Sequence, residues 1–267
     1  MPSVEHQGAR IHYEEQGSGP PLLLAHSFLF SGEMWGNQLT ALAKRYRVIN
    51  VDLRGHGQSG PYAEHFTLYD VLNDHLAVLD HLGIERAAFL GLSIGGMMAL
   101  RAALNVPDRV AALALLDTSA EKERATVALK YHGMSNFARA FGARPLASSI
   151  ANIMFSANAR RQKPEMVDHW KQYWAGVDVP SIRAGLRALL ERDSVLERTA
   201  EIQIPTLIMV GERDAGLPPE LSRRLHHGIA GSRFVVVPEA GHIPPLEQPD
   251  MVTTELLDFL DGLKERW

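Results

Sequence analysis

The sequence predicts an α/β protein with an open, mostly parallel sheet and helices on both faces. Short apolar runs alternate along the chain with segments of helical periodicity, which is the pattern of βαβ units. The runs are apolar nearly throughout, as in strands that are buried on both faces. Six of them predict strands at residues 22–25, 48–51, 87–90, 110–116, 206–210 and 233–237, and residues 11–15 predict a leading antiparallel strand.

The segments between these runs have the spacing of amphipathic helices. In residues 67–83, Thr67 and Asp70 can cap the start of a helix and Gly83 can end it. Pro249 favours the start of the last helix, because its fixed φ suits the first helical position. The apolar positions at helical spacing are Leu68, Val71, Leu72, Leu76, Leu79 and Leu82 in the first segment, and Val252, Leu256, Leu257, Phe259 and Leu260 in the last.

Residues 119–199 interrupt this alternation. The segment has no convincing strand pattern and contains helix-like stretches rich in methionine and aromatic residues. We interpret it as a helical cap inserted into a core that comprises residues 1–118 and 200–267. Phe137 with Phe141 and Trp170 with Trp174 form two aromatic pairs, each about one helical turn apart. These pairs either form the wall of an apolar pocket or pack the cap onto the core.

Composition and charge exclude several classes of protein. The chain has 267 residues, 46% hydrophobic and 22% charged, and no cysteine, which excludes disulfides, thiolate metal sites and a cysteine nucleophile. Its 27 Lys and Arg against 31 Asp and Glu give a net charge of −4, too little positive charge to attract nucleic acid or an anionic membrane. Residues 1–19 lack a secretory signal's apolar core, and no run approaches the roughly 20 apolar residues of a membrane-spanning helix. We therefore expect a cytoplasmic protein without nucleic-acid or membrane partners. The sequence does not determine the oligomeric state, and a homo-oligomer is possible.

The strongest local motif is G-x-S-x-G at residues 91–95, followed by a further glycine. It comes directly after a predicted strand and before a helix-like run, the strand–turn–helix setting that the motif requires. Glycines on either side of Ser93 leave room for a sharp turn, which forces the serine into a sparsely populated backbone conformation. Such a turn exposes the hydroxyl and aims the N–H groups of the following helix at developing negative charge. Ser93 is therefore the candidate nucleophile, in preference to a structural turn residue.

A serine nucleophile needs an oriented base, and this motif predicts the chain order serine, acid, histidine. Asp214 and His242 each follow a predicted strand, and α/β sheets collect their sites at the carboxyl ends of strands. His242 would take the Ser93 proton, and Asp214 would fix the tautomer of His242. Glu212 is one alternative for the acid, and Asp117, which also follows a strand, is the stronger one. The chain has 12 histidines, and His242 stands out because it completes this order.

Acyl transfer also needs a pair of N–H donors for the oxyanion. One is the N–H after the nucleophile, on Ile94. The other should come from the loop after an early strand, where His26, Ser27 and Phe28 follow the run 22–25, and we assign it to Phe28. In the alternative interpretation, His26 and Ser27 simply satisfy hydrogen bonds of the loop.

Residues 55–60 match the G-x-G-x-x-G dinucleotide pattern without its context, because Pro61 and Tyr62 follow where a helix should begin. We interpret this segment as a tight loop in which Asp52 and Arg54 form a structural pair. The sequence has no zinc-protease, calcium-loop or P-loop spacing. We therefore expect neither a metal nor a nucleotide cofactor.

Together these motifs resemble the α/β-hydrolase fold superfamily. The matching blocks span most of the chain: His26-Ser27, the sequence Asp-Leu-Arg-Gly-His-Gly-Gln-Ser at 52–59, the motif at 91–96, residues 211–214 and Gly241-His242. The resemblance implies a sheet of roughly eight strands with an inserted helical cap. It also implies Ser93, Asp214 and His242 as a catalytic triad, with the backbone N–H groups of Phe28 and Ile94 as the oxyanion hole. A serine at 93 excludes the dehalogenase and epoxide-hydrolase branches, which have an aspartate there.

Within the superfamily the chain is most similar to the 3-oxoadipate enol-lactonase-like esterases. The cues are Ser27, Met34-Trp35 and the sequence Leu-Asp-Thr-Ser-Ala at 116–120. Ser27 replaces the glycine of many superfamily members, and Leu29 stands where this group often has another glycine. The similarity implies a serine hydrolase without a cofactor that cleaves carboxylic esters or lactones of small, largely apolar substrates. A C–C bond hydrolase or perhydrolase with the same triad, and a ligand receptor on this fold, remain alternatives.

Overall fold

The computed structural model describes residues 2–263, and its strands form one sheet of eight. The strands are β1 Ser3–His6, β2 Ala9–Gln16, β3 Pro21–Ala25, β4 Arg47–Val51, β5 Ala87–Leu92, β6 Val110–Leu116, β7 Thr206–Gly211 and β8 Arg233–Val237. Their order in the sheet is β1-β2-β4-β3-β5-β6-β7-β8. The β1–β2 and β2–β4 pairs are antiparallel, and the other pairs are parallel. The predicted mostly parallel sheet is confirmed, whereas β1 was not predicted.

From β3 onward, at least one helix lies between each strand and the next, and two more helices follow β8 in the described part of the chain. The helices are α1 Gly36–Leu42, α2 Leu68–His81, α3 Ile94–Asn105, α4 Ala125–Phe141, α5 Ala147–Met154, α6 Ala157–Gln162, α7 Pro164–Ala175, α8 Val179–Leu190, α9 Pro219–Gly228, α10 Pro244–Glu247 and α11 Pro249–Asp261. Short 3₁₀ helices occur at Gly32–Trp35, Gly57–Ser59, Pro107–Arg109, Arg144–Leu146 and Leu196–Glu201. No helix among residues 2–263 combines the length and the apolar character needed to cross a bilayer.

The middle of the sheet is covered on both faces. Side chains along a strand point alternately to the two faces, yet β5 and β6 are buried at every residue. At the edge of the sheet, β8 differs from the prediction of a fully buried strand. Arg233 is exposed, the next three residues are half-buried and only Val237 is buried. An edge strand has a neighbour on one side only, so fewer elements cover it.

The helix α2 shows how local sequence fixes an element. The Thr67 hydroxyl accepts a hydrogen bond from the Asp70 N–H, and the Asp70 carboxylate accepts one from the Thr67 N–H at 2.7 Å. This reciprocal capping box satisfies two N–H groups that have no partner inside the helix. At the other end, Gly83 has φ 65°, a conformation that glycine adopts without a steric penalty. The predicted helix at 67–83 is confirmed to within two residues at each end.

Between β6 and β7 the chain forms the five helices α4 to α8, which we call the inserted helices. Their burial is uneven. None of the residues of α4 is buried, whereas α7 buries Val167, Trp170 and Trp174. Helix α4 contacts α8, and α5 contacts α7, so these helices also pack on one another. The division into a core at 1–118 and 200–267 and a cap at 119–199 stays a prediction.

Candidate active site

Ser93 lies in a strained turn between β5 and α3. Its φ of 55° and ψ of −114° are unusual for a residue with a side chain. Two hydrogen bonds hold the turn from the end of β6: the Ser93 N–H donates to the Leu116 carbonyl at 2.9 Å, and the Thr118 hydroxyl donates to the Ser93 carbonyl at 2.7 Å. A backbone strained in this way persists only where its surroundings fix it, and such positions cluster at functional sites.

Close backbone contacts explain the glycines of this turn. A Cβ on Gly95 would lie 2.3 Å from the Ala25 carbonyl oxygen, and one on Gly91 would lie 2.4 Å from the Gly95 carbonyl. A Cβ on Gly96 would come within 2.8 Å of the Thr118 side chain. These glycines therefore let α3 begin against the ends of β3 and β6, so that Ser93 projects at the carboxyl edge of the sheet.

Asp214 and His242 come together on the loops that follow β7 and β8. A Cβ on Gly211 would lie 1.9 Å from the Gly241 carbonyl oxygen, so the two loops touch backbone to backbone. The His242 Nδ1 lies 2.8 Å from the Asp214 Oδ2, and both side chains are buried. The other oxygen of Asp214 accepts hydrogen bonds from the N–H groups of Gly216 at 2.8 Å and Leu217 at 3.0 Å. The carboxylate of Asp214 is thus fixed from both sides.

The His242 loop is also bonded to the inserted helices, through residues that were not predicted. The His242 N–H donates to the Met154 carbonyl at 3.0 Å. The buried Glu247 carboxyl accepts from the Ser156 N–H at 3.0 Å and from the Ile243 N–H at 3.3 Å. Burial raises the pKa of Glu247, while these N–H bonds act against that rise. The sequence gives no signal for Glu247, because its partners are backbone groups that only the fold brings near.

Asp117, the rival acid, lies beside this pair without bonding to His242. Its Oδ1 accepts a hydrogen bond from the Gly211 N–H at 2.8 Å, and its side chain is 0% exposed. Burial and the nearby charge of Asp214 raise the pKa of Asp117 well above its ordinary value. Glu212 bonds to the backbone N–H of Glu239 on the surface. Of the three candidate acids, the structure brings Asp214 to His242.

The two N–H groups assigned to the oxyanion hole have no protein acceptor within residues 2–263. Ile94 is the first residue of α3, where the helix leaves N–H groups unpaired and its dipole favours negative charge. Phe28 lies three residues after β3, whose end pairs Ala25 with Gly91 of the turn. Both N–H groups therefore belong to backbone that adjoins Ser93.

His26 has a structural role. Its Nδ1 lies 2.8 Å from the Ser27 carbonyl oxygen, and its Nε2 accepts a hydrogen bond from the Leu53 N–H at 2.9 Å. Burial lowers the pKa of His26 to about 3, so the ring is neutral at ordinary pH. The Ser27 hydroxyl is different, since it is buried and has no hydrogen-bond partner among the described residues. The loop-bonding interpretation thus holds for His26 and not for the Ser27 hydroxyl.

The predicted pair of Asp52 and Arg54 is wrong. Arg54 instead makes two hydrogen bonds of 2.6 Å to Asp74 of α2. Asp52 accepts from the N–H groups of Gly32 and Gln58, each at 2.7 Å. The reason is tertiary: α2 packs against this loop and supplies a carboxylate, while two loop backbones occupy the oxygens of Asp52.

A cavity that opens to solvent contains Ser93 and His242 in its wall. The wall is mainly apolar, and most of it comes from the inserted helices. Among the lining residues are Tyr131, Met134, Ala138, Leu146, Ile150, Ile153, Met154, Ile182, Leu186 and Leu189.

The aromatic pairs divide between the two interpretations left open. Trp174 lines the cavity, and its indole N–H donates to the Leu29 carbonyl at 2.8 Å. Trp170 packs on Phe30 with ring centroids 4.4 Å apart. Phe137 and Phe141 contact each other on the surface, where they are 41% and 68% exposed. Only one of these four aromatic side chains therefore forms cavity wall.

Charged groups at the cavity are engaged with protein partners. Glu123 forms an ion pair with Arg192 at 3.2 Å. Arg183 donates from one Nη to the Ser135 carbonyl and hydroxyl, both at 2.8 Å, and thereby links α8 to α4. Ser93 and His242 therefore face a cavity wall that consists mostly of apolar side chains.

Comparison with known proteins agrees with this fold. Residues 20–249 match the family model described as alpha/beta hydrolase fold. The chain is 29% identical to 3-oxoadipate enol-lactonase 1 of Acinetobacter baylyi, over 97% of this chain and 96% of that protein.

Two solved structures are closely similar. A thermophilic esterase from Thermogutta terrifontis superposes with a TM-score of 0.91 at 30% identity, covering 97% of this chain and 96% of that one. An enol-lactonase from Burkholderia xenovorans superposes with a TM-score of 0.91 at 29% identity, covering 97% and 100%.

Proposed function

The chain belongs to the alpha/beta hydrolase fold family and is a hydrolase, and from this premise we propose that it cleaves carboxylic esters or lactones of small, largely apolar substrates. Ser93 is the nucleophile, His242 the general base and acid, and Asp214 the residue that orients His242. The N–H groups of Phe28 and Ile94 form the oxyanion hole.

The observation that carries this proposal is the hydrogen bond of 2.8 Å between His242 Nδ1 and Asp214 Oδ2. A proton on Nδ1 that is donated to Asp214 leaves Nε2 free to accept the proton of the Ser93 hydroxyl. Ser93 lies in the same cavity wall as His242, on a turn whose strained conformation is held by the surrounding backbone.

The reaction then follows from the positions of these groups. The Ser93 oxygen attacks the carbonyl carbon, and the N–H groups of Phe28 and Ile94 donate to the oxyanion that forms. Protonated His242 gives its proton to the alcohol oxygen as the C–O bond breaks, which leaves an acyl group on Ser93. Water, deprotonated by His242, attacks the acyl carbonyl, and His242 then returns this proton to the Ser93 oxygen as the bond between Ser93 and the acyl group breaks and the acid leaves. A lactone follows the same steps, except that both products remain one molecule.

The cavity supports the substrate class. Its wall is mainly aliphatic and aromatic, and the charges that reach it, Glu123 and Arg183, bond to neighbouring protein groups. Apolar acyl and alcohol groups therefore bury hydrocarbon there without leaving a charge desolvated. The relatives named above as an esterase and as enol-lactonases have the same fold and support the same bond type.

Hydrolysis of a p-nitrophenyl ester series from acetyl to dodecanoyl tests the proposal, with Ser93→Ala measured alongside. We expect steady multiple turnover that is highest for short chains and absent in Ser93→Ala. That result would justify a lactone screen. A single burst without turnover, or turnover that survives Ser93→Ala, would contradict the proposal and direct the search to a C–C bond hydrolase, a perhydrolase or a ligand receptor.

A further inference from the structure

Two carboxyl groups, rather than one, lie against the ring of His242. One oxygen of Asp117, one oxygen of Asp214 and a ring nitrogen of His242 lie within 4.8 Å of one another, and all three residues are buried. The triad of serine, histidine and acid needs a single carboxylate. Asp117 therefore lies beside Asp214 and His242 but has no role in the proposed reaction.

The hydrogen bonds of the two carboxyls are unequal. Asp214 accepts from His242 and from the N–H groups of Gly216 and Leu217. Asp117 accepts one bond, from the Gly211 N–H, and its Oδ2 is buried with no donor among residues 2–263. A buried carboxylate whose second oxygen accepts nothing is costly, and a second negative charge beside it increases that cost. Protonation of Asp117 removes both penalties.

We propose that Asp117 is a neutral carboxylic acid that donates its proton to the Asp214 carboxylate and so positions the group that orients His242. The inference rests on the proposed function, because it extends the roles of Asp214 and His242. Asp117 is a positioning residue in this account, since it acts through Asp214 and does not touch the reacting atoms.

The surroundings of Asp117 support this state. His242 lies nearby, and the charges of two carboxyl groups, Asp214 and Glu247, act on Asp117. Burial, the charge of Asp214 and a hydrogen bond to the Asp214 side chain all raise the pKa of Asp117, against the single Gly211 N–H. Its backbone is held in place as well: the Asp117 N–H donates to the Met209 carbonyl at 2.9 Å, and its φ is 44°. The carboxyl is thus fixed between the ends of β6 and β7.

Infrared spectroscopy of the intact protein tests the protonation state directly. At neutral pH we expect the difference spectrum between the parent and Asp117→Asn to contain the C=O stretch of a carboxylic acid, which moves to lower frequency in D₂O. Glu247 contributes equally to both proteins and cancels. If the difference spectrum shows only a carboxylate band, Asp117 is ionised and the proposal is wrong.

Kinetics test the positioning role. Asparagine matches a protonated aspartate in shape and can donate to Asp214, so Asp117→Asn should restore most of the kcat/KM that Asp117→Ala loses. We expect Asp117→Ala to lose about ten- to a hundredfold, the effect of one hydrogen bond to a charged group. Asp214→Asn should cost far more, on the order of 10⁴-fold, because the amide favours the wrong His242 tautomer.

The acid limb of the kcat/KM profile, which reports protonation of His242, separates this role from a merely structural one. Because Asp117→Asn replaces a neutral acid by a neutral amide, the acid limb of the variant should occur at the same pH as that of the parent. A shift to lower pH in Asp117→Asn would mean that a negative charge beside His242 was lost, and it would overturn the proposal.

The two proposals fail in different ways. If the parent shows no turnover that depends on Ser93, the proposed function is wrong, while the infrared difference still decides the state of Asp117. If Asp117→Ala does not fold, the infrared spectrum and the acid limb of Asp117→Asn still decide the inference.

Discussion

The strand ends that carry the proposed triad differ in packing from helix α4, which lines the cavity. Every residue of β5 is buried, as is every residue of α3 from Ile94 to Leu104. In α4 no residue is buried, although Tyr131 and Met134 reach the cavity and Phe141 faces solvent. In the first region, a Cβ added to Gly91, Gly95 or Gly211 would lie within 2.4 Å of a backbone atom, so these segments pack without room for a side chain. Helix α4 is held by side-chain contacts, so substitutions of these side chains need not move the sheet.

If the proposed function holds, the strand ends carry the chemistry and α4 helps to select the substrate. At the strand ends, Ser93, Asp214 and His242 are placed by hydrogen bonds and glycine contacts that leave little freedom. In α4, the cavity wall is a set of side chains on a helix with little buried area, so substitutions there alter the shape of the pocket at small cost in stability. We therefore expect changes at the strand ends to abolish activity or folding, and changes in α4 to redistribute activity among substrates.

The largest effect should come from the reactive groups themselves. Ser93→Ala and His242→Ala should each lower kcat/KM for a p-nitrophenyl ester by a factor on the order of 10⁴ or more, because nucleophile and base act as one unit. Circular dichroism should show both variants folded. Residual activity within tenfold of the parent would remove these residues from the proposed triad.

Two glycine substitutions, one at a strand end and one in α4, test this difference between the two regions through the free energy of unfolding. Gly211→Ala places a Cβ 1.9 Å from the Gly241 carbonyl oxygen and should destabilise the protein by about 1–3 kcal/mol or more, because backbone must move. Gly133→Ala, in α4, meets nothing within 4 Å and should stabilise it by about 0.5–1 kcal/mol. Urea denaturation measures both. Equal effects of the two substitutions would contradict the contrast between the regions.

Buried histidines should make stability depend on pH. Burial lowers the pKa of His56 to about 4 from an unfolded value of 6.5, so the unfolded chain binds the extra proton between these limits. The stabilisation from neutral His56 is complete above pH 6.5 and is lost as the pH falls toward 4. His56→Gln should reduce the slope of the unfolding free energy in that window by up to about 1.4 kcal/mol per pH unit.

The exposed His132 of α4 is the matched control, and His132→Gln should leave the slope as in the parent. Asp117 and Glu247 act in the opposite direction, because their pKa values are raised and their contribution is lost as the pH rises. Asp117 and Glu247 are present in the parent and in both variants, so the difference in slope between the parent and His56→Gln reports on His56. An unchanged slope in His56→Gln would show that the ring is not held neutral.

The smallest effects belong to α4. Met134→Ala enlarges the cavity and should move the preferred acyl chain to a longer one, with changes in kcat/KM of about tenfold for single esters, as one or two methylenes allow. Phe141→Ser, on the outer surface of the same helix, should leave the chain-length profile unaltered. The ester series measures both variants. An equal change of profile in both would mean that α4 acts through its packing and not as cavity wall.

Local sequence was enough to predict the main elements and to place Ser93, Asp214 and His242 after strands. The capping box of Thr67 and Asp70 is a short-range feature, because its two residues lie three positions apart. The glycine spacing around Ser93 can also be read locally as a motif, although Gly95 and Gly96 pack against the distant residues Ala25 and Thr118. Buried parallel strands also leave a strong signal, since both faces must be apolar. The sheet, the turn and the alternation of strands and helices are therefore determined by the amino-acid sequence itself.

The tertiary structure alone decided which polar groups pair. Asp117 and Asp214 follow adjacent strands and have the same local chemistry, and only the packing of the loops shows that His242 bonds to Asp214. Arg54 pairs with Asp74 on α2 rather than with Asp52, two residues away. Helical spacing likewise could not tell the buried Trp174 from the exposed Phe141. The physical reason is common to all three: periodicity and turn residues act over a few positions, whereas burial and ion pairing depend on which distant segment arrives beside a side chain.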